Sequence, residues 1–167
     1  MTVDDLLAIH QITQLKYRYM RAVDTQDWEL LRTVFTANAR AWYDNGALAA
    51  EGRDGIVALL SGSLRPTLYS SHTALHPEIT LTGPGTAKGV WRFEDIVHFA
   101  QSDPEFVVEA QDGERLIGAG YYYDEYALED GDWRIAKTGY VRLFQAKEHQ
   151  PLQTEFDPAR GRLSREA

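Results

Sequence analysis

The stretch from Thr86 to Gln101 alternates apolar and polar side chains over nearly its whole length, which reads as one long β-strand. Tyr69–Thr82, Glu114–Leu128 and Trp133–Phe144 carry further strand patterns, with a bulge expected at Pro77, whose missing N–H cannot serve a central ladder. Gly83-Pro84-Gly85 is a turn, and Asp130-Gly131 is a hairpin dipeptide joining the last two strands. Successive long strands with short turns predict an antiparallel sheet. Helices come before them, so the order suits an α+β domain whose helices pack on the concave face of a bent sheet and enclose one mostly apolar pocket.

The helical part begins at Asp4 and Asp5, which serve as capping residues. Leu6, Ile9, Ile12, Leu15, Tyr19 and Val23 then recur at helical spacing, predicting a helix over residues 5–23. Asp24-Thr25-Gln26-Asp27 breaks it, and Trp28, Leu31 and Phe35 mark a short second helix. Ala39 to Tyr43 reads as a strand running into a turn at Asn45-Gly46. Gly52-Arg53-Asp54-Gly55 leads into a third helix through Ile56, Leu59 and Leu60 that ends near Gly62. No repeat or low-complexity tract divides the chain. One domain over residues 1–146 is expected, followed by a polar tail or arm over 147–167.

Composition excludes several partners. The net charge is −8, with 17 Lys and Arg scattered among 25 acids, so no concentrated basic face exists to hold a nucleic-acid backbone. No run approaches the roughly 20 apolar residues of a membrane helix, and the N-terminus has no signal-peptide pattern. Cysteine is absent, which removes disulfides and thiolate metal sites and fits a reducing compartment, the cytoplasm. A soluble domain of this size buries roughly two-thirds of its unfolded surface. Nine tyrosines, six phenylalanines and four tryptophans suggest a core or cavity walled by rings.

Several polar residues fall where a core would not want them. Period-2 alternation puts Gly89, Trp91, Phe93, Asp95, Val97 and Phe99 on one face, with His98 on the other. Asp95 therefore interrupts an aromatic face, and a buried carboxylate costs several kcal/mol unless paired. His72 and His76 share a strand, about 13 Å apart if it is straight, too far to bind one metal ion. A strand histidine such as His72 is often a satisfied structural residue, and Asp24 has an ordinary reading as the cap of the second helix. In the last strand Thr138, Tyr140, Arg142 and Phe144 share a face. The opposite face, with Trp133, Ile135, Val141 and Leu143, is expected to pack inward.

The run RYMRAVDTQDWELLRTVF, the His72 strand and GYYYDEYALEDGDWRIAKTGYVRLF together resemble the SnoaL-like branch of the nuclear-transport-factor-2-like superfamily. The likeness covers most of residues 5–145. It implies a cone of N-terminal helices against a strongly curved sheet enclosing a pocket. The nearest resemblance is to the group holding scytalone dehydratase, lindane dehydrochlorinase and bile-acid 7α-dehydratase, which pairs an aspartate at the end of the first helix with a strand histidine. Asp24 and His72 fall at those places. Tyr19 and Asp95 match further polar pocket positions, and His98 lies near a second pocket histidine. The dehydrochlorinase has an arginine where this chain has Thr138 after Trp133-Arg134-Ile135-Ala136-Lys137, which argues against halide elimination and leaves Arg142 to meet an anionic group.

The resemblance implies a cofactor-independent lyase of dehydratase type, acting on a small hydrophobic, hydroxylated cyclic or aromatic compound. In that reading Asp24 orients His72 as base, Tyr19 or Asp95 assists the departing oxygen, and Trp91, Phe93, Phe99, His98, Tyr140 and Arg142 bind the substrate. A double-bond isomerase or carbon–carbon lyase would use the same base. In a non-catalytic binding module, Asp24 is a cap and His72 a core residue. No metal or cofactor is expected. A homo-oligomer, dimer or trimer, is expected because such folds commonly pair through the outer sheet face, and Tyr121 and Tyr123 alternate with Tyr122 and Tyr126 so that aromatics occupy both faces.

Overall fold

A computed structural model describes residues 1–64, 67–101, 111–149 and 158–161. In chain order its elements are α1 (Val3–Asp24), α2 (Trp28–Thr33), β1 (Phe35–Tyr43), β2 (Leu48–Glu51), α3 (Arg53–Ser63), β3 (Leu68–Gly83), β4 (Thr86–Phe99), β5 (Glu114–Glu129) and β6 (Asp132–His149). The cap of α1 lies slightly earlier than expected. Thr2 accepts from the Asp5 N–H at 3.1 Å while Asp5 accepts from the Thr2 N–H at 2.6 Å, a reciprocal capping box. Ile12, Leu15, Tyr19, Ala22 and Val23 form the buried stripe, whereas Leu6 is exposed. No described helix is long and apolar enough to cross a membrane.

The strands form one open six-stranded sheet in the order β2-β1-β6-β5-β4-β3. All neighbours are antiparallel except β1 and β6, which run parallel. The helices pack on its inner face around a core in which Trp91, Phe93, Phe35 and Ile135 are fully buried. A smaller apolar cluster of Leu68, Phe99 and Leu116 closes the other end of the long strands. This is the α+β, helix-on-curved-sheet architecture that the order of elements predicts.

Four local expectations change. Phe35 opens β1 rather than closing α2, and β2 was not anticipated. β6 continues through His149, three residues into the expected tail, while 150–157 and 162–167 lie outside the described residues. The expected break in β3 is present: the register shifts between Leu75 and Glu78, with His76 at φ 46°. The largest correction concerns β6. Tyr126 pairs with Ile135 but Glu125 with Lys137, and Gly120 pairs with Arg142 but Ala119 with Phe144. Ala136 and Leu143 are thus extra residues, and each reverses the alternation. Ile135, Thr138, Tyr140 and Arg142 consequently turn inward together, while Val141 and Leu143, expected to pack inside, lie on the outer face at 42% and 63% exposure.

Candidate functional site

Along the inner face of β4 the character of the side chains changes in steps of two residues, about 7 Å each. At the bottom, Trp91 Nε1 donates to Tyr126 Oη (2.8 Å), and Tyr126 Oη donates to Asp124 (2.7 Å). Thr138 Oγ1 also donates to Asp124 (2.7 Å), and Lys16 Nζ lies 2.8 Å from it. Lys16 and Asp124 are wholly buried. Above this network sits a layer of tyrosines. Phe93 packs against Tyr122 and Tyr140, Tyr43 against Tyr140, and Tyr19 against Tyr122, with ring centroids 5.0–6.2 Å apart. Tyr19 Oη donates to Tyr43 Oη at 3.1 Å. Burial pushes the hydroxyl pKa of Tyr19, Tyr43 and Tyr122 well above the ordinary phenol value, so all three are neutral donors.

The charged layer comes next. Asp24 ends α1, but it does not cap α2; Asp27 does, accepting from the Leu30 N–H at 3.1 Å. Asp24 is therefore free to face β3. It accepts from Ser70 Oγ (2.9 Å), from the His72 backbone N–H (2.8 Å) and from His72 Nδ1 (2.6 Å). That bond places the proton on Nδ1 and leaves Nε2, 4.0 Å from Asp95 Oδ2, as the free nitrogen. Burial alone would lower the His72 pKa. The hydrogen bond and charge of Asp24, helped by Asp95 and opposed by Arg142, outweigh it and hold the pKa above its ordinary value.

Asp95 is itself gripped by Arg142, whose two terminal nitrogens donate to its two oxygens at 2.8 and 2.5 Å. Burial works against the guanidinium charge, but Asp95 more than offsets it and the Arg142 pKa is raised. Arg142 stands on β6 and Asp95 on β4, with β5 between them. The guanidinium crosses β5 over glycine: a Cβ at Gly118 would collide with Arg142 Nη1 and lie 2.9 Å from Asp95 Oδ1. Gly118→Ala is therefore expected to break one arm of the fork at a cost of about 1.5–3 kcal/mol, read as a lower urea midpoint at unchanged m-value.

These layers wall a cavity of about 260 Å³ lined by Tyr19, Tyr43, Tyr122 and Tyr140, by His72, Asp95 and Arg142, and by an aliphatic end that includes Leu60, Leu64 and Leu68. Of the residues singled out in the sequence, Tyr19, His72, Asp95, Phe99, Tyr140 and Arg142 line it, and Asp24 stands directly behind His72. Trp91 and Phe93 do not; they are fully buried, Trp91 in the network below the tyrosines and Phe93 against their rings. His98 is on the opposite face of β4, as its alternation indicates, stacked on Tyr69 at 5.3 Å. The expected anion-binding role of Arg142 is altered by its bidentate partner, which already neutralises it. Tyr43, Tyr122, Ser70 and the aliphatic end were not singled out. For the crossing of Arg142 to Asp95, the paired glycines of Ile117-Gly118-Ala119-Gly120 were the available signal, since glycine inside a strand marks close approach of another group.

Known proteins place this architecture. A hexachlorocyclohexane dehydrochlorinase, LinA type 2, superposes with a TM-score of 0.75 at 16% identity, over 92% of this chain and 95% of that one. A scytalone dehydratase-like protein from Novosphingobium aromaticivorans gives 0.73 at 19% identity, over 93% of this chain and 100% of that one. A Mycobacterium tuberculosis protein of unknown function gives 0.64 at 24%, over 83% and 73%. At these identities the likeness is one of fold. The SnoaL-like domain profile matches residues 4–139, spanning α1 through the first part of β6, and the chain belongs to the SnoaL-like domain family.

Proposed function

We propose that this protein is a cofactor-independent lyase that eliminates water from a small hydrophobic, hydroxylated cyclic or aromatic compound, with Asp24 and His72 as its acid–base pair. The observation that carries the reading is the position of Asp24. Its oxygens are spent on Ser70 and His72 rather than on either helix, and they fix the tautomer that leaves His72 Nε2 free. That nitrogen takes a proton from carbon, the adjacent carbon–oxygen bond breaks, and the departing hydroxide leaves as water with the proton His72 returns. Tyr19 acts through Tyr43: its one hydroxyl proton goes to Tyr43 Oη, which leaves the Tyr43 O–H to donate a hydrogen bond to substrate oxygen. Asp95 is engaged by Arg142 through both oxygens, so it acts by charge, holding His72 basic, rather than as a proton donor. Two solved relatives in fold carry lyase names, the dehydrochlorinase and the dehydratase-like protein, which favours this class of chemistry.

The test is turnover of a panel of hydroxylated aromatic and alicyclic compounds by purified protein, read by mass spectrometry as loss of one water. Because the base must be unprotonated, kcat/KM should rise with pH through a pKa above the ordinary histidine value of about 6.5. Asp95→Asn removes a neighbouring negative charge and exposes His72 to Arg142, so the rise should move to lower pH. No dehydration anywhere in the panel, or a pH profile unmoved by Asp95→Asn, counts against the assignment.

A further inference from the structure

The ends of the cavity differ in chemistry, and the charged layer lies between them. Below it the wall consists of neutral hydroxyls, those of Tyr19, Tyr43, Tyr122 and Tyr140. Above it, Val97 and Phe99 on β4 face Leu68 on β3 and Leu116 on β5, with Leu60 and Leu64 of the α3 end closing over them. Phe99 is the one ring among those six, and none of them carries a polar side-chain atom. From Asp95 to Phe99 the strand climbs about 14 Å, so the aliphatic region is a compartment in its own right. The other polar side chains around the cavity outside these layers are Ser63, Asp44 and Gln145.

We infer that the ligand of this pocket is amphiphilic: an oxygen-bearing ring at the tyrosine layer with a saturated alkyl substituent lying in the aliphatic compartment. The inference rests on the cavity being the working site, as proposed above, and adds the class of compound it selects. A flat polyaromatic compound would leave the rounded leucine surface poorly filled, whereas a flexible chain fits it and removes apolar area from water on both sides. The volume agrees. A cavity of about 260 Å³ admits a single ring with a chain of a few carbons. The tyrosine end recognises a neutral oxygen. Its hydroxyls are un-ionised, and both cations beside it are already committed, Arg142 to Asp95 and Lys16 to Asp124.

The probes are phenol, 4-ethylphenol and 4-butylphenol, with 4-butylanisole as the partner lacking a donor hydroxyl, titrated calorimetrically into wild-type protein. Affinity should rise about fourfold per methylene added, the factor expected for burying each group, until the compartment is full, and the anisole should bind at least several-fold more weakly than 4-butylphenol. Leu64→Gln, which places an amide on the half-buried wall, should flatten the chain-length dependence. Val97→Phe should do so by occupying the space, which covers the case in which the first variant does not fold. A flat series in wild type, equal binding of the anisole, no binding of any member, or a slope unaltered by both variants would each overturn the inference. Turnover plays no part in these measurements, so the elimination reading and this one fail separately: a dehydratase of unbranched cyclic alcohols would give a flat series, and a pure binding protein would give a steep one.

Discussion

His72→Ala should lower kcat/KM by about 10²–10⁴-fold, the range spanned by a general acid–base group, while shifting the melting temperature by only a few degrees at alkaline pH. The stability half of this expectation comes from Asp24. With the imidazole gone, its carboxylate still accepts from Ser70 Oγ and from the backbone N–H of position 72, and the space vacated opens onto the cavity. The small cost should depend on pH in a definite direction. The folded-state pKa of His72 is raised above the unfolded value of about 6.5. The stabilisation from its protonated form is therefore fully present below about pH 6.5 and is lost as pH rises through the folded-state pKa. The variant should thus lag the wild type more at about pH 5.5 than at about pH 8.5 in thermal melts. Asp24→Asn separates orientation from charge: it keeps the shape but removes the largest interactions raising the His72 pKa, so activity should fall and the remaining pH profile should move toward acid. A His72 kept only for structure would behave otherwise, melting many degrees lower at both pH values with turnover by the surviving folded fraction unchanged.

How much of this was readable beforehand varies with the range of the interactions. The alternation in β4 put Asp95 on the inner face among Trp91 and Phe93, and it is there at 3% exposure. The breakpoint at Asp24 and the bulge beside Pro77 were equally local, since capping residues and a missing N–H announce themselves in the sequence. The inner and outer faces of β6 were not readable. Ala136 and Leu143 are the residues that bulge, and neither is a glycine or proline, so strict alternation carried Val141 and Leu143 to the wrong side. Trp91 and Phe93 were placed on the correct face but at the wrong height. Which rung of a strand opens onto a cavity depends on what α1 and β5 put in front of it, here Tyr19 and Tyr122. Tyr43 was hidden for a related reason, because β1 reaches the site only by pairing parallel to β6, a contact of long sequence separation.

Lys16→Met should destabilise the protein by about 3–5 kcal/mol, the cost of leaving one partner of a buried ion pair behind, or roughly 6–20 °C in melting temperature for a chain of this size. Lys16 and Asp124 are both inaccessible to solvent, and their nitrogen and oxygen are 2.8 Å apart. Burial lowers the Lys16 pKa against the pull of Asp124, so the ammonium is held in place by that carboxylate rather than by water. Without it Asp124 keeps only the hydroxyls of Thr138 and Tyr126. The ammonium also lies 3.6 Å from the centroid of the Tyr122 ring, on the tyrosine layer that floors the cavity. Asp124→Asn alone should likewise be costly, because it leaves a buried ammonium facing an amide. The double variant Lys16→Met/Asp124→Asn removes both charges while Asn can still meet the two hydroxyls, so it should recover much of the loss, with a coupling energy well above the few tenths of a kcal/mol seen between independent sites. Urea unfolding of the four proteins measures this directly; single variants costing under about 1 kcal/mol, or an additive double variant, would show that the pair contributes little. The double variant also separates stability from function. If the pair serves only to seat α1 against β5, the double variant should bind 4-butylphenol as wild type does once refolded stability is restored; weaker binding at full folding would mean that the ammonium behind Tyr122 also sets the hydroxyl layer of the pocket.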